Sequence, residues 1–172
     1  MKPILLLFST LLFANSIFAQ KKVNYGVLQK PDEKVLYGFS LKSSNKIVLV
    51  CTQKDNKYIV YRFGTKDKAE LQYPALLNAT SWKVFRYDGY SRSGVNNSPT
   101  EIHSLSFKNN NATYEIGDNW DGDENEHNAE VIVNSNGKKT KIEGLASSID
   151  GTLATLLEKD NLIHNYYLDD NK

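Results

Sequence analysis

The chain has 172 residues, 40% of them hydrophobic, and its 21 basic and 20 acidic side chains leave a formal net charge of +1. That length suits one domain and supports a core without covalent staples. The near-neutral balance argues against a general nucleic-acid or anionic-membrane binder, and the lone Cys51 excludes an internal disulfide.

Met1–Ala19 reads as a secretory signal peptide: Lys2 supplies the charge, Ile4–Leu12 the apolar run, and Ile17-Phe18-Ala19 the small-residue end. The run is shorter than the roughly 20 residues that a membrane span needs. Cleavage is expected after Ala19, with Ser16 as the alternative, and no Cys follows the run to carry a lipid. The expectation is an exported protein, periplasmic or secreted, with no stable membrane insertion after cleavage. Without Lys2 the basic and acidic residues balance.

Residues 20–33 read as a loose, polar N-terminal arm, 34–168 as a single β domain and 169–172 as a polar tail. Val35–Leu41 alternates, with Val35, Tyr37, Phe39 and Leu41 on one face of a strand. Ile47–Thr52 is more continuously apolar and holds Cys51, expected as a buried thiol behaving as a small hydrophobe. Tyr58–Gly64 and Ala69–Tyr73 complete a first set of strands joined by polar turns. Trp82–Tyr87 opens the second set and leads into a long Gly/Ser/Asn-rich loop, Asp88–Thr100. Ile102–Phe107 pairs with Ala112–Ile116. Ala129–Val133 and Lys139–Ile142 flank Ser135-Asn136-Gly137, whose Asn-Gly step is a strong hairpin signal. Ile149–Leu157 predicts one short helix near the C-terminus, with Asp150 as its N-cap. Leu162–Leu168 predicts a last strand. About nine to ten short strands predict an all-β fold, either an antiparallel sandwich or a small barrel.

The sharpest local feature is the stretch Asp118–His127, which sets Asp118, Asp121, Asp123, Glu124 and Glu126 around Trp120 between two strands. Three readings stay open. It is a solvated acidic loop, an acidic finger for a basic cleft with Trp120 as anchor, or a noncanonical calcium loop using Asp118, Asp121, Asp123 and Glu126. The spacing does not follow the EF-hand pattern. A second feature alternates aromatic and cationic residues: Trp82, Arg86, Tyr87, Tyr90 and Arg92 suit sugar rings, or equally a core strand. No G-x-S-x-G, H-E-x-x-H, P-loop or G-x-G-x-x-G occurs. The expectation is therefore a protein that is not an enzyme and that needs no cofactor.

Ile47–Leu71, with its Cys-bearing strand, turn, aromatic strand and Ala69-Glu70-Leu71, resembles the small exported bacterial β-proteins of the lysozyme-inhibitor and immunity type. The resemblance covers under a fifth of the chain and implies no particular site residues here. It implies an inhibitor-like or immunity-like module whose partner is another exported or envelope protein. In that expectation Asp118, Asp121, Asp123, Glu124 and Glu126 face a cationic cleft and Trp120 fills a pocket. The alternative is a carbohydrate- or peptidoglycan-binding module using Trp82, Arg86, Tyr87, Tyr90 and Arg92.

Overall fold

The computed structural model describes residues 23–94 and 97–169. The signal segment Met1–Ala19 and the tail beyond Asp169 lie outside the described residues. Among these, eleven strands form two sheets. The first contains β1 (Glu33–Ser40), β2 (Ile47–Gln53), β3 (Ile59–Thr65), β4 (Lys68–Tyr73) and the short β10 (Asp150–Gly151), in the order β10-β1-β2-β3-β4, all antiparallel. The second contains β5 (Phe85–Arg92), β6 (Thr100–Asn109), β7 (Ala112–Asp121), β8 (Glu126–Ser135), β9 (Lys138–Glu143) and β11 (His164–Asp169), in the order β11-β5-β6-β7-β8-β9. β11 runs parallel to β5, so this sheet is mixed, and the two sheets stay separate rather than closing into a barrel. The fold is all-β.

The main core lies between the sheets. Tyr37, Phe39, Val48, Val50, Ile59 and Tyr61 of one sheet meet Phe85, Tyr87, Leu105, Phe107, Ile116 and Val131 of the other. Tyr73, Phe107 and Tyr114 form a stack, with ring centroids 4.4 and 4.9 Å apart. Such aromatic pairs add to the stabilisation from burial alone.

β2 is buried at every position from Ile47 to Thr52, which explains why its sequence does not alternate. Val48 and Val50 enter the main core, while Ile47, Leu49 and Cys51 point to the opposite face. That face is covered by the N-terminal segment, whose Tyr25 and Leu28 are buried beside Tyr58 and Val60. The expected loose arm is therefore, from Val23 onward, a docked strap. Gly26 makes the docking possible: it sits at φ +57°, and a side chain there would collide with the Lys66 carbonyl. β1 departs from simple alternation as well. A bulge between Val35 and Tyr37 moves Val35 to the outer cluster while Leu36, Tyr37 and Phe39 enter the main core.

One buried ion pair locks the strap. Arg62 on β3 grips the Glu33 carboxylate with two hydrogen bonds, Nη1 at 2.6 Å and Nη2 at 2.9 Å. Nη1 also donates to the Leu28 carbonyl, and Glu33 accepts from the Lys30 N–H and the Tyr58 hydroxyl. Bidentate geometry with the remaining sites filled is what lets a buried pair offset its desolvation. Burial pushes the Glu33 carboxyl up, but the Arg62, Lys30 and Tyr58 hydrogen bonds and the guanidinium charge outweigh it and hold the group below its ordinary value.

Other boundaries moved for local reasons. Trp82 and Val84 belong to a 3₁₀ turn, Ala79–Val84, capped by the Asn78 side chain, so the strand expected from Trp82 starts at Phe85. It then runs on to Arg92, shortening the expected loop. The expected helix Ile149–Leu157 is instead the β10 bridge followed by a 3₁₀ segment, Leu153–Lys159, and its cap is Thr152 rather than Asp150.

Arg62→Ala leaves Glu33 buried without its counter-charge and is expected to cost about 3–5 kcal/mol in urea unfolding. The joint change Glu33→Gln with Arg62→Met should recover most of that loss. Because the folded value of Glu33 lies below the unfolded one, its contribution is complete above the ordinary Glu range and drains away as pH falls through the folded value. Melting temperature followed into acid should therefore drop more steeply for the wild type than for Glu33→Gln.

Candidate functional site

The inward face of the second sheet changes character along its length. Across β6 and β7 the paired rows run Phe107–Tyr114, Leu105–Ile116, His103–Asp118 and Glu101–Trp120. On β8 the same face carries Val131, Ala129 and then His127, which lies opposite Trp120. The first rows are core. The last rows form a polar ledge at the end of the sandwich, around a cavity of about 250 Å³ lined by Glu101, His103, Asp118, Trp120, His127 and Thr152.

Asp118 is the centre of this ledge and is buried. Its Oδ2 accepts from the Thr152 hydroxyl and the Leu153 N–H, both at 2.7 Å, and its Oδ1 lies 2.5 Å from His127 Nε2. The carboxylate thus ties the β7–β8 hairpin to the start of the Leu153–Lys159 segment. Next to it, buried His103 has both ring nitrogens occupied: Nδ1 lies 2.7 Å from the Tyr87 hydroxyl and Nε2 lies 3.1 Å from Glu101 Oε2. Burial, then the charges of Tyr167, Asp118 and Glu101, push the Tyr87 phenol well above its ordinary value, so it stays protonated. Donation from Tyr87 to Nδ1 and from Nε2–H to Glu101 satisfies all three groups.

The ledge orders these polar groups against one another. The Thr152 hydroxyl donates to Asp118 and also accepts from the Ala154 N–H. Cys51 lies in the outer cluster beneath the strap, on the far side of the first sheet. Burial and then the nearby Glu33 push its thiol up to about 12, which keeps it protonated and inert.

The acidic stretch is largely strand rather than loop. β7 continues to Asp121 and β8 begins at Glu126, and these two residues pair with each other. The turn is reduced to Gly122–Asn125, with Asn125 in the left-handed region at φ +50°. Period two then splits the predicted set. Asp118 and Trp120 face inward, whereas Asp121 and Glu126 lie on the outer face and Asp123 and Glu124 sit in the turn. Asp121 Oδ1 accepts from the Asp123 and Glu124 N–H groups, an Asx turn that stiffens the tip, and Asp123 accepts from the Ser98 hydroxyl. Asp118, Asp121, Asp123 and Glu126 therefore do not converge. Among the described residues no group of three or more His, Cys, Asp or Glu side chains is arranged to hold a metal ion.

The aromatic and basic set is divided in the same way. Trp82 is buried, with its indole N–H on the Asn56 carbonyl, and Tyr87 belongs to the core. Arg86, Tyr90 and Arg92 share the outer face of β5. Arg86 forms a two-point pair with Asp88 and stacks over the exposed ring of Tyr166, 4.2 Å from its centroid. Arg92 is held by the Ser98 carbonyl and the Thr100 hydroxyl. Sequence reasoning missed His103, Glu101, Thr152 and Tyr166. The alternation Ile102-His103-Ser104-Leu105-Ser106-Phe107 already sets His103 on the Leu105 and Phe107 face, but Thr152 and Tyr166 arrive through contacts distant in sequence.

Asp118→Ala is expected to lower stability by about 1–3 kcal/mol through the unpaired Thr152 and Leu153 donors. Asp123→Asn at the exposed tip should stay within about 0.5 kcal/mol of the wild type. Denaturant melts of the two variants check this difference.

No family model, no curated protein and no solved structure matches the chain.

Proposed function

We propose that this is an exported, non-enzymatic binding protein, inhibitor-like or immunity-like, that engages another protein through the tip of the β7–β8 hairpin. The observation that carries the reading is the unbroken pairing of that hairpin out to Asp121 and Glu126. A tip held this way needs little ordering on binding, and pre-ordering is a main route to affinity. Trp120 lies half-buried at its base, beside Gly122, where a Cβ would come within 2.7 Å of the indole ring. Trp is a frequent interface anchor.

The sequence-level group is narrowed by this geometry. Asp121, Asp123, Glu124 and Glu126 supply the negative field, and among the described residues none of them is ion-paired with Lys or Arg. Asp118 acts as a structural tie, with Trp120 as the apolar contact. The fitting partner is a basic, cleft-bearing enzyme of the cell-wall-degrading class, and charge steering would speed its capture. The glycan alternative contracts to the outer face, where Arg86, Tyr90, Arg92 and the exposed Tyr166 share a surface.

The test is association with a basic muramidase, followed by surface binding at low and high salt. Neutralising Asp121, Asp123, Glu124 and Glu126 together should slow association about tenfold at low salt and far less at high salt. Trp120→Ala should weaken the complex by about 2 kcal/mol, roughly thirtyfold. Unchanged association of the neutralised tip would overturn the reading, and retention on insoluble peptidoglycan that survives these changes would favour the outer face instead.

A further inference from the structure

A second cavity, of about 380 Å³, opens between the two sheets away from the ledge. Phe63 and Leu71 line it from the first sheet, and Val131, Val133 and Ile142 line it from the second. Phe63, Leu71, Tyr114, Val133 and Ile142 are only partly buried, so the core leaves apolar surface unburied here. Ligand pockets are typically concave, mostly apolar and about 300–1,000 Å³, with a few polar groups that orient the ligand. This one lies at the small end of that range, the size for one chain rather than two.

Its polar group is the Tyr61 hydroxyl. Five tyrosines are buried among the described residues, and four of them hydrogen-bond: Tyr25 to Asp150, Tyr37 to the Gly117 carbonyl, Tyr58 to Glu33 and Tyr87 to His103. Tyr61 is 2% exposed and lines the cavity, and none of these four bonds engages its hydroxyl. Its ring is fixed by Phe107 at 5.0 Å and lies 6.4 Å from Tyr114, the other phenol of the lining. A hydroxyl that faces an apolar cavity is a ready donor to a ligand's polar group. Burial also pushes the Tyr61 phenol up, with Tyr114 adding to the effect, so it is present as a neutral donor.

Charge narrows the ligand further. The one charged side chain in the lining is Glu70, and Lys46 pairs with it at 2.6 Å while covering the Phe63 ring at 5.2 Å. An anionic head would meet a carboxylate whose counter-ion is already engaged. A neutral head avoids that conflict.

We propose that this cavity binds a single-chain neutral lipid, with the alkyl chain between Phe63, Leu71, Val131, Val133 and Ile142 and a carbonyl or hydroxyl of the head on Tyr61 and Tyr114. Binding completes the burial of the half-wet side chains and sets the head on the Tyr61 hydroxyl. The surface joins the list of functions independently of the hairpin tip, because the two lie on different rows of the second sheet.

The experiment is calorimetric titration of the folded protein with 1-monolauroylglycerol and, separately, laurate, both below their micellar concentrations. The expected result is saturable one-to-one binding of the monoacylglycerol and about tenfold weaker binding of laurate. Tyr61→Phe, which keeps the ring and the packing, should weaken the monoacylglycerol about fivefold, the worth of one hydrogen bond. Val133→Trp should abolish binding by filling the cavity, with thermal melts confirming that both variants remain folded. Absence of saturable binding to the wild type, laurate binding as tightly as the monoacylglycerol, or an unaffected Tyr61→Phe variant would each overturn the proposal.

Discussion

A single buried carboxylate, Asp118, holds together the end of the molecule on which the hairpin depends. It takes the Thr152 hydroxyl, the Leu153 amide and the His127 imidazole at once. Its chain neighbour Gly117 offers a carbonyl to Tyr37 of the opposite sheet. The base of the β7–β8 hairpin is thereby tied to the first sheet and to the closing 3₁₀ segment, while its tip stays in solvent. A hydrophobic residue at this position would pack, but it could not align two separate backbone segments. Directional hydrogen bonds to a charged acceptor do that, and they are among the stronger ones a protein makes.

The same economy appears at the other end of the first sheet. Residues 23–33 carry few apolar side chains, yet Tyr25 and Leu28 cover a face of β2 and β3 that would otherwise expose Ile47, Leu49 and Val60. Two apolar side chains are a thin cover. The Glu33–Arg62 pair, with its accessory bonds to Lys30, Tyr58 and Leu28, keeps that cover seated. Charged side chains thus fix the N-terminal strap and the start of the Leu153–Lys159 segment, and apolar contacts fill the space between.

Strand identity was legible because period-two patterning is local. The runs around Phe39, Val50, Tyr61, Leu105, Ile116 and Val131 all became strands, and the Asn136-Gly137 turn formed with both residues at positive φ. Patterning misled where a residue's role depends on something remote. The acidic stretch looked like a loop because it is polar, but β6 and β8 flank Asp118–Asp121 on both sides and extend the strand. Trp82 stood open between a core strand and a ligand surface, and it is core through the 3₁₀ turn that delivers its indole to Asn56 rather than through a strand. Polarity alone does not distinguish a solvated carboxylate from one buried against donors brought by residues 152 and 153.

The sequence by itself determined the all-β class and the positions of most strands, since each follows from alternation among neighbouring residues. It also marked the acidic, Trp-bearing stretch as the place to look. Tertiary structure decided which of those carboxylates are free and which is a tie, and it split the aromatic and basic set across two faces. It also assembled the cavity around Tyr61 from β3, β4, β7, β8 and β9. The reason is range. Alternation is written in neighbouring residues, whereas burial, hydrogen-bond partners and cavities depend on segments up to 125 residues apart, as in the bond between Tyr25 and Asp150.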